Sequence, residues 1–349
     1  MKQPRKAVAL ISGGLDSMLA ARVVMDQGVQ VEGLNFFTGF CVEGHTQAIR
    51  PRKDGRPKRN NALWVAEQLG IPLHMLDVID EYKDVVLNPR RGYGSNLNPC
   101  TDCKIFMLQK ARAWAFMEEN GFDFIITGEV LGQRPMSQRK QLLPLIARES
   151  GLEDRLLRPL SAQLLEPTLP EREGWVDRER LHRFHGRNRK PQIALARAYG
   201  FESWAQPAGG CCFLTNAEYS AKLRDLWQAR GRRDYDLDDI MLLKVGRHLR
   251  PAPHYKLILG REEGENRYLE GYGRRFLSLR VLSHNGPLCL VDGTAGSGDI
   301  ELAARIVARY SQGRDAPLVT VSVEHPDGRG ETLNVVPLPQ ERMQRSWHV

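Results

Sequence analysis

The stretch Ala7–Ser17, which reads AVALISGGLDS, limits the fold of this chain more than any other. Residues Ala7–Ile11 are small or aliphatic and predict a short buried strand, and a helical pattern begins at Met18 directly after the turn. A strand that passes through a glycine-rich turn into a helix presents backbone N–H groups at the positive end of the helix dipole. The sequence therefore predicts a phosphate site at this turn.

The residues of the turn fit such a site one by one. Glycine at positions 13 and 14 lets the backbone approach an anion closely. Asp16, in the first helical turn, is either a capping residue or a ligand for the Mg²⁺ of a nucleotide. The spacing is neither that of GxxxxGK[ST] nor that of GxGxxG. The candidate nucleotide-binding residues of the turn are Ser12, Gly13, Gly14, Leu15, Asp16 and Ser17.

Strand and helix patterns alternate through the first 160 residues. Further strands are predicted at Val29–Phe37, Pro72–Val78 and Phe122–Ile126, which indicates an α/β domain with a doubly wound parallel sheet. Ligands of such sheets bind beyond the carboxyl ends of the strands. The candidate nucleotide contacts there are Asn35, Phe36, Phe37, Thr127 and Gly128, with core packing as the alternative for the two phenylalanines.

Positive charge is concentrated in the first two thirds of the chain. The net charge is +8, but the residues from Gly231 onward contain 17 Lys and Arg against 16 Asp and Glu. A basic loop after the second strand and a polar segment after the fourth are candidates for contact with a phosphate backbone, although both could simply be solvated. The candidate RNA contacts are Arg50, Arg52, Lys53, Gln133, Arg134, Ser137 and Gln138.

Six cysteines are too few and too clustered for a secreted disulfide framework. Cys100 and Cys103 precede a helix predicted from about Ile105 to Glu119, and Cys211 and Cys212 lie in a glycine-rich turn, which suggests metal or sulfur chemistry. Cys41 and His45 have no second pair nearby, so no zinc site is expected there. No apolar run is long enough for a membrane span and no signal peptide is evident, so a cytoplasmic protein is expected.

The composition predicts three segments. Residues 1–163 are expected to form the nucleotide-binding domain, residues 164–233 a basic helical segment with the second cysteine turn, and residues 234–349 a C-terminal α/β domain. The first of these would carry the parallel sheet.

Several motifs together carry a resemblance to a known family. SGGLDS, NPCTDC at 98–103, TGEVLGQRPMSQ at 127–138 and GCCFL at 210–214 resemble motifs of the PP-loop tRNA thiolation enzymes, which include tRNA 2-thiouridylases and 4-thiouridine synthetases. The resemblance covers about residues 6–220 and implies an adenine-nucleotide alpha hydrolase fold. The C-terminal segment resembles the NFACT-R domain, which leaves RNA binding, protein docking or formation of a homodimer as its expected roles.

The resemblance implies an ATP- and Mg²⁺-dependent tRNA sulfurtransferase with Asp16, Cys103 and Cys212 as catalytic residues. Sulfide or a persulfide carrier would supply the sulfur. Cys100 stands where 2-thiouridylases commonly have Asp, so Cys100, Cys103 and Cys212 are expected to hold a 4Fe-4S cluster, with Cys211 as a substitute for Cys212. A two-cysteine persulfide mechanism and a structural zinc site are the alternatives.

Two other functions fit the same sequence. One is a small-molecule PP-loop enzyme with a structural zinc ion, like the deazaguanine synthases. The other is a nucleotide-dependent RNA-binding protein without thiolation activity.

Overall fold

The computed structural model describes residues 4–42, 59–204 and 212–349. The chain forms two compact units. The first consists of the described residues up to Thr215, and the second extends from Asn216 to Val349. The segment bounds predicted at residues 163 and 233 stay a prediction. In the part of the chain that the structure describes, no helix has the length and apolarity to cross a bilayer.

The first unit is built on a five-stranded parallel sheet in the order β3-β2-β1-β4-β5. The central position belongs to the strand that leads into the glycine-rich turn. The strands are β1 Lys6–Leu10, β2 Gln30–Phe37, β3 Leu73–Asp77, β4 Phe124–Ile126 and β5 Leu156–Leu157.

Helices cover both faces of this sheet. They are α1 Leu15–Met25, α2 Asn61–Leu69, α3 Ile79–Leu87, α4 Cys100–Ala115, α5 Leu142–Glu149, α6 Leu169–Arg172 and α7 Lys190–Ala198. Successive residues of β1 point to opposite faces, so Ala7 and Ala9 pack in the core that α1 and α2 complete, whereas Val8 packs in the core that α4 and α5 complete. This arrangement confirms the predicted doubly wound α/β fold.

The helical segment predicted for residues 164–233 is wrong in its first part, residues 164–189. Before α7 this part contains only the single turn α6 and short 3-10 turns, because Pro167, Gly174 and Gly186 interrupt it. Arg178 donates from Nη2 to the carbonyl of Leu165 at 2.8 Å.

The second unit contains a six-stranded antiparallel sheet in the order β11-β10-β8-β9-β7-β6, which confirms the predicted C-terminal α/β domain. Its strands are β6 Arg247–Ala252, β7 Tyr255–Leu259, β8 Leu277–Val281, β9 Leu288–Gly293, β10 Val319–Glu324 and β11 Gly330–Val335. Its helices are α8 Ala217–Arg230, α9 Leu237–Leu242, α10 Glu263–Glu270 and α11 Ser297–Arg309. α11 packs on one face of the sheet, while α9 and α10 contribute to the core on the other face.

Candidate functional site

The turn Ser12–Ser17 lies at the carboxyl end of β1 and leads into α1, for which Gly14 is the N-cap. Gly13 has a φ of 78°, and a Cβ atom there would lie 2.8 Å from the backbone nitrogen of Ala62 at the start of α2. Glycine is required at this position both by the backbone conformation and by the close approach. The N-termini of α1 and α2 therefore lie at the same turn, where both dipoles favour a negatively charged group.

The two carboxylate oxygens of Asp16 have different surroundings. Oδ2 accepts a hydrogen bond from Gln133 Nε2 at 2.6 Å, and Gln133 Oε1 in turn accepts one from Nε2 of the buried Gln192 at 3.0 Å. Oδ1 is buried and has no hydrogen-bond partner among the described residues. This oxygen fits a Mg²⁺ ion, which proteins hold through one or two carboxylates together with substrate phosphates.

The other predicted nucleotide contacts lie near the turn, and several of them serve the fold there. Asn35 Nδ2 donates to the carbonyl of Ile11 at 2.6 Å, which fixes the end of β2 to the end of β1. Ser17 Oγ donates to the carbonyl of Gly14 at 2.8 Å and lies 3.4 Å from Ser12 Oγ. Phe36 packs at the edge of the core that contains α4. A direct role for any of these side chains in nucleotide binding stays a prediction.

Gly128 packs directly against the first turn of α1. A Cβ atom at Gly128 would lie 2.5 Å from the carbonyl carbon of Asp16 and from the nitrogen of Ser17. Any side chain at this position would push β4 away from the turn. Gly128 is therefore placed, as predicted, at the carboxyl end of the central strands.

A buried ion pair follows Gly128 and was missed from the sequence. The Glu129 carboxylate is 2% exposed and accepts from Arg158 Nε at 2.9 Å, while Lys104 Nζ lies 3.7 Å away. Burial acts to raise the pKa of Glu129, but Lys104 and Arg158 outweigh it and the pKa is lowered. Lys104 directly follows Cys103 in α4. The contact between Glu129 and Lys104 therefore links the end of β4 to the helix that carries the cysteines.

The two thiols of the CxxC pair lie in the first turn of α4, which begins at Cys100 rather than near Ile105. Cys100 Sγ is 3.7 Å from the Ser137 hydroxyl, to which it donates. Cys103 instead hydrogen-bonds with the side chain of Tyr82, a fully buried residue of α3. The two thiols of the pair therefore have different hydrogen-bond partners.

Three cysteines that are far apart in the sequence affect the pKa of Tyr82. Burial raises the pKa of the Tyr82 phenol well above its usual value, and negative charge at Cys103, Cys212 and Cys41 raises it further. The segments that carry these cysteines are also in contact: Leu97 N, shortly before Cys100, donates to the carbonyl of Leu214 at 3.2 Å, and Cys41 pairs with Cys212 in an isolated antiparallel bridge. The two cysteine-bearing loops thus meet, and a joint role of Cys103 and Cys212 stays a prediction, whereas Cys41 was not expected here. Its position four residues beyond β2, at the carboxyl edge of the sheet, is the sequence signal that could have revealed it.

The structure does not show the predicted metal site on Cys100, Cys103 and Cys212. Within residues 4–42, 59–204 and 212–349, no group of three His, Cys, Asp or Glu side chains is arranged to hold a metal ion. The thiols themselves have the soft chemistry that iron or zinc requires, and the cluster on them stays a prediction. Cys211, the predicted substitute, lies outside the described residues.

The predicted RNA contacts differ in exposure. Arg134 is exposed, but Ser137 and Gln138 are buried, and Gln133 is engaged with Asp16 and Gln192. Ser137 and Gln138 are thus not on the surface in this structure, and a direct RNA contact for them stays a prediction. The basic residues Arg50, Arg52 and Lys53 lie outside the described residues.

Comparison with known families identifies both parts of the chain. Residues 5–146 match the family described as "tRNA methyl transferase HUP domain", and residues 246–348 match "NFACT protein RNA binding domain". These matches confirm the resemblance to the nucleotide-binding domain of PP-loop tRNA-modifying proteins and to the NFACT-R domain.

Curated relatives make the likeness more specific. A protein of Rippkaea orientalis named tRNA-specific 2-thiouridylase MnmA is 34% identical over 174 residues, which are 47% of this chain and 46% of that protein. Its namesake in Trichormus variabilis is 31% identical over 175 residues, again 47% and 46% of the two chains. A solved structure titled as a 4-thiouridine synthetase–RNA complex with bound ATP is 26% identical, with a TM-score of 0.33, over 45% of this chain and 37% of that one. The chain thus matches less than half the length of these curated relatives.

Proposed function

We propose that this chain is an ATP-dependent tRNA sulfurtransferase that replaces a carbonyl oxygen of uracil by sulfur. The observation that carries the proposal is the contact between the two cysteine-bearing loops, where Leu97 N donates to the carbonyl of Leu214 at 3.2 Å, in the unit that also bears the Ser12–Ser17 turn. Thiolation needs an activating site for the carbonyl and a thiol site for sulfur transfer, and this unit has candidates for both. The likeness to two curated 2-thiouridylases supports the same function.

The turn would serve the activation step. The uracil carbonyl oxygen attacks the α-phosphate of ATP, and pyrophosphate leaves while it is held by the N–H groups at the start of α1. Mg²⁺ bound at Asp16 Oδ1 would neutralise part of the charge on the phosphates. Gln133 keeps the carboxylate oriented through the other oxygen. The product is a uracil with a good leaving group, AMP.

The cysteines would serve the transfer step. The backbone N–H of Leu214 lies 3.3 Å from Cys212 Sγ, to which it donates, and such a bond favours the thiolate. Tyr82 keeps its proton at neutral pH because its pKa is raised, so its phenol can donate a hydrogen bond to Cys103. Cys212 would carry the sulfur as a persulfide, received from a persulfide carrier whose own cysteine leaves as a thiol. The S–S bond to the outer sulfur would break as a second cysteine of the site forms a disulfide with Cys212, and the hydrosulfide released would displace AMP from the activated carbon.

We propose tRNA as the polyanionic partner, in the cytoplasm. The match of residues 246–348 to an RNA-binding family supports this choice, as does the net charge of +8. The C-terminal unit could bring the substrate to the catalytic unit or mediate a homodimer.

The 4Fe-4S cluster on Cys100, Cys103 and Cys212 stays a separate proposal, and no step above depends on it. Iron and acid-labile sulfide, measured after anaerobic purification, decide it. Stoichiometric zinc held by the cysteines would instead favour a small-molecule PP-loop enzyme.

The central experiment combines two measurements on the same preparation. Pyrophosphate release is measured with and without unmodified tRNA, and the tRNA is then digested for nucleoside mass spectrometry with a sulfide donor present. We expect pyrophosphate release only with tRNA, together with one thiolated uridine. Tight tRNA binding without either product would favour a nucleotide-dependent RNA-binding protein. Pyrophosphate release that is independent of tRNA would favour a small-molecule substrate.

A further inference from the structure

Cys41 and Cys212 lie directly opposite each other, although they are far apart in the chain. Residues Phe40–Cys41 and Cys212–Phe213 form an isolated antiparallel bridge in the first unit. Its hydrogen bond joins the flanking residues, from Phe213 N to Phe40 O at 2.9 Å, rather than the two cysteines. The cysteines therefore form a non-hydrogen-bonded pair, in which Cα atoms are about 4.5 Å apart and side chains come closest.

This spacing allows a covalent link without movement of the backbone. Disulfides are found with Cα atoms about 4.4 to 6.8 Å apart. None of the five described cysteines is in a disulfide, and both members of the pair are partly exposed. Cys41 Sγ also lies 3.4 Å from the Thr38 hydroxyl, which can donate a hydrogen bond to a thiolate. The pair is thus accessible to a sulfur donor and positioned to react with itself.

We propose that Cys41 is a third reacting thiol of this site, which resolves a persulfide on Cys212 by closing a Cys41–Cys212 disulfide. The inference rests on the proposed function and names the residue that completes sulfur transfer. Cys103, by contrast, lies on a different element, helix α4, and its side chain hydrogen-bonds with Tyr82.

The step is balanced without an external oxidant. The Cys41 thiolate attacks the inner sulfur of Cys212–S–SH, the S–S bond to the outer sulfur breaks, and that sulfur leaves with the electron pair as hydrosulfide. The Cys41 sulfur is oxidised from the thiol to the disulfide level as the outer sulfur is reduced to the sulfide level. The persulfide comes from a persulfide-bearing donor, and a dithiol reductant returns the disulfide to two thiols. Cys41 follows β2, the strand that pairs with β1, so hydrosulfide is released at the edge of the sheet to which the Ser12–Ser17 turn also belongs.

The first test maps the disulfide itself, without ATP or tRNA. The full-length Cys211→Ser protein, reduced anaerobically, is equilibrated in glutathione buffers of rising potential, alkylated and mapped by mass spectrometry. We expect a Cys41–Cys212 disulfide as the main product, retained in Cys103→Ser and absent from Cys41→Ser. Cys289→Ala, which removes a buried thiol of the other unit, should match the parent. A main disulfide between Cys103 and Cys212 would overturn the proposal.

The second test follows the sulfur. The same proteins are loaded with glutathione persulfide, desalted, and assayed for released sulfide. The parent should release one sulfide for each disulfide formed. Cys41→Ser should keep its persulfide and release sulfide at a rate lower by about tenfold or more, because an oriented intramolecular thiol is removed. Unchanged release from Cys41→Ser, with loss in Cys103→Ser, would refute the assignment. Since neither test uses tRNA, absence of thiolated tRNA would count against the proposed function alone.

Discussion

At the scale of single residues, the unequal surroundings of the two Asp16 oxygens make the nucleotide assignment testable. Asn at position 16 keeps an acceptor for Gln133 but removes the negative charge from the oxygen proposed to bind Mg²⁺. We expect Asp16→Asn to lower Mg²⁺-dependent pyrophosphate release by about 100-fold or more, as loss of a group that stabilises transition-state charge does. Circular dichroism should remain that of the folded protein.

Asp26→Asn is the matched control for this change, because Asp26 lies at the other end of α1 in a surface ion pair with Arg22. It alters the same helix by the same chemistry and should leave pyrophosphate release unchanged. Normal release from Asp16→Asn would remove the basis for a metal at this carboxylate.

Glu129 gives a second residue-scale prediction, on pH and stability. Its pKa in the fold is lowered below 4.5, so the ionised carboxylate stabilises the fold above that pH, and this contribution is lost as the pH falls through the folded pKa. Glu129→Gln should cost about 3 to 5 kcal/mol at pH 7, because Arg158 is left buried without its partner. The difference from the parent should shrink below pH 4.5 in urea unfolding.

The exposed Glu67 on α2 provides the comparison for this experiment. Glu67→Gln should change the free energy of unfolding little at any pH, because exposed charges contribute little. A difference for Glu129→Gln that did not depend on pH would show that its cost comes from packing rather than from charge.

At the scale of elements, the contact between the Ser12–Ser17 turn and α2 separates two demands on glycine. Gly13 and Gly28 both have positive φ values, 78° and 84°, but only Gly13 has backbone atoms where a Cβ would lie. Gly28→Ala should cost about 1 kcal/mol in unfolding free energy, the usual strain of this conformation. Gly13→Ala should cost more and should also abolish ATP binding, measured by calorimetry. Equal effects of the two substitutions would mean that the contact with α2 is unimportant.

The elements also show which parts of the sequence were readable. The predicted strands around β1, β2, β3 and β4 fall within about two residues of the observed ones, because buried aliphatic runs and short glycine-containing turns are local signals. The start of α4 was missed by five residues, since Thr101 and Asp102 read as loop residues although they form the first helical turn. Local pattern also failed at residues 164–189, where Arg178 donates to the carbonyl of Leu165 and Arg180 to the distant carbonyl of Asp26.

The candidate site could be predicted from the sequence to a similar degree. The SGGLDS turn is a local motif whose backbone carries its function, so its residues lie where the sequence predicts. The pairing of Cys41 with Cys212 and that of Glu129 with Arg158 depend on contacts between distant elements. No local spacing encodes such contacts, and for that reason Cys41 looked like an isolated loop residue.

At the scale of the whole molecule, the uneven charge predicts how tRNA affinity depends on salt. Neutralising Arg50, Arg52 and Lys53 together should reduce the slope of log affinity against log salt by about 0.7 to 0.9 for each phosphate that these side chains neutralise. Filter binding between low and moderate salt measures this slope.

The control neutralises three arginines that already pair with carboxylates, Arg172 with Asp154, Arg267 with Glu263 and Arg329 with Asp327. It changes the net charge by the same amount and should alter the slope less. Identical slopes for the two triple variants would mean that overall charge, not the basic loop, draws RNA to the protein.

The close packing of Gly128 on the first turn of α1 has a kinetic consequence. The backbone of Gly128 packs directly on the backbone of α1, and the backbone of Gly13 packs in the same way on α2. The Ser12–Ser17 turn is therefore held between two elements before any ligand binds. Because the turn is already ordered, nucleotide binding does not require a loop to fold. In stopped flow, ATP should therefore bind in a single phase whose rate rises linearly with ATP concentration, without the plateau that a slow closing step produces.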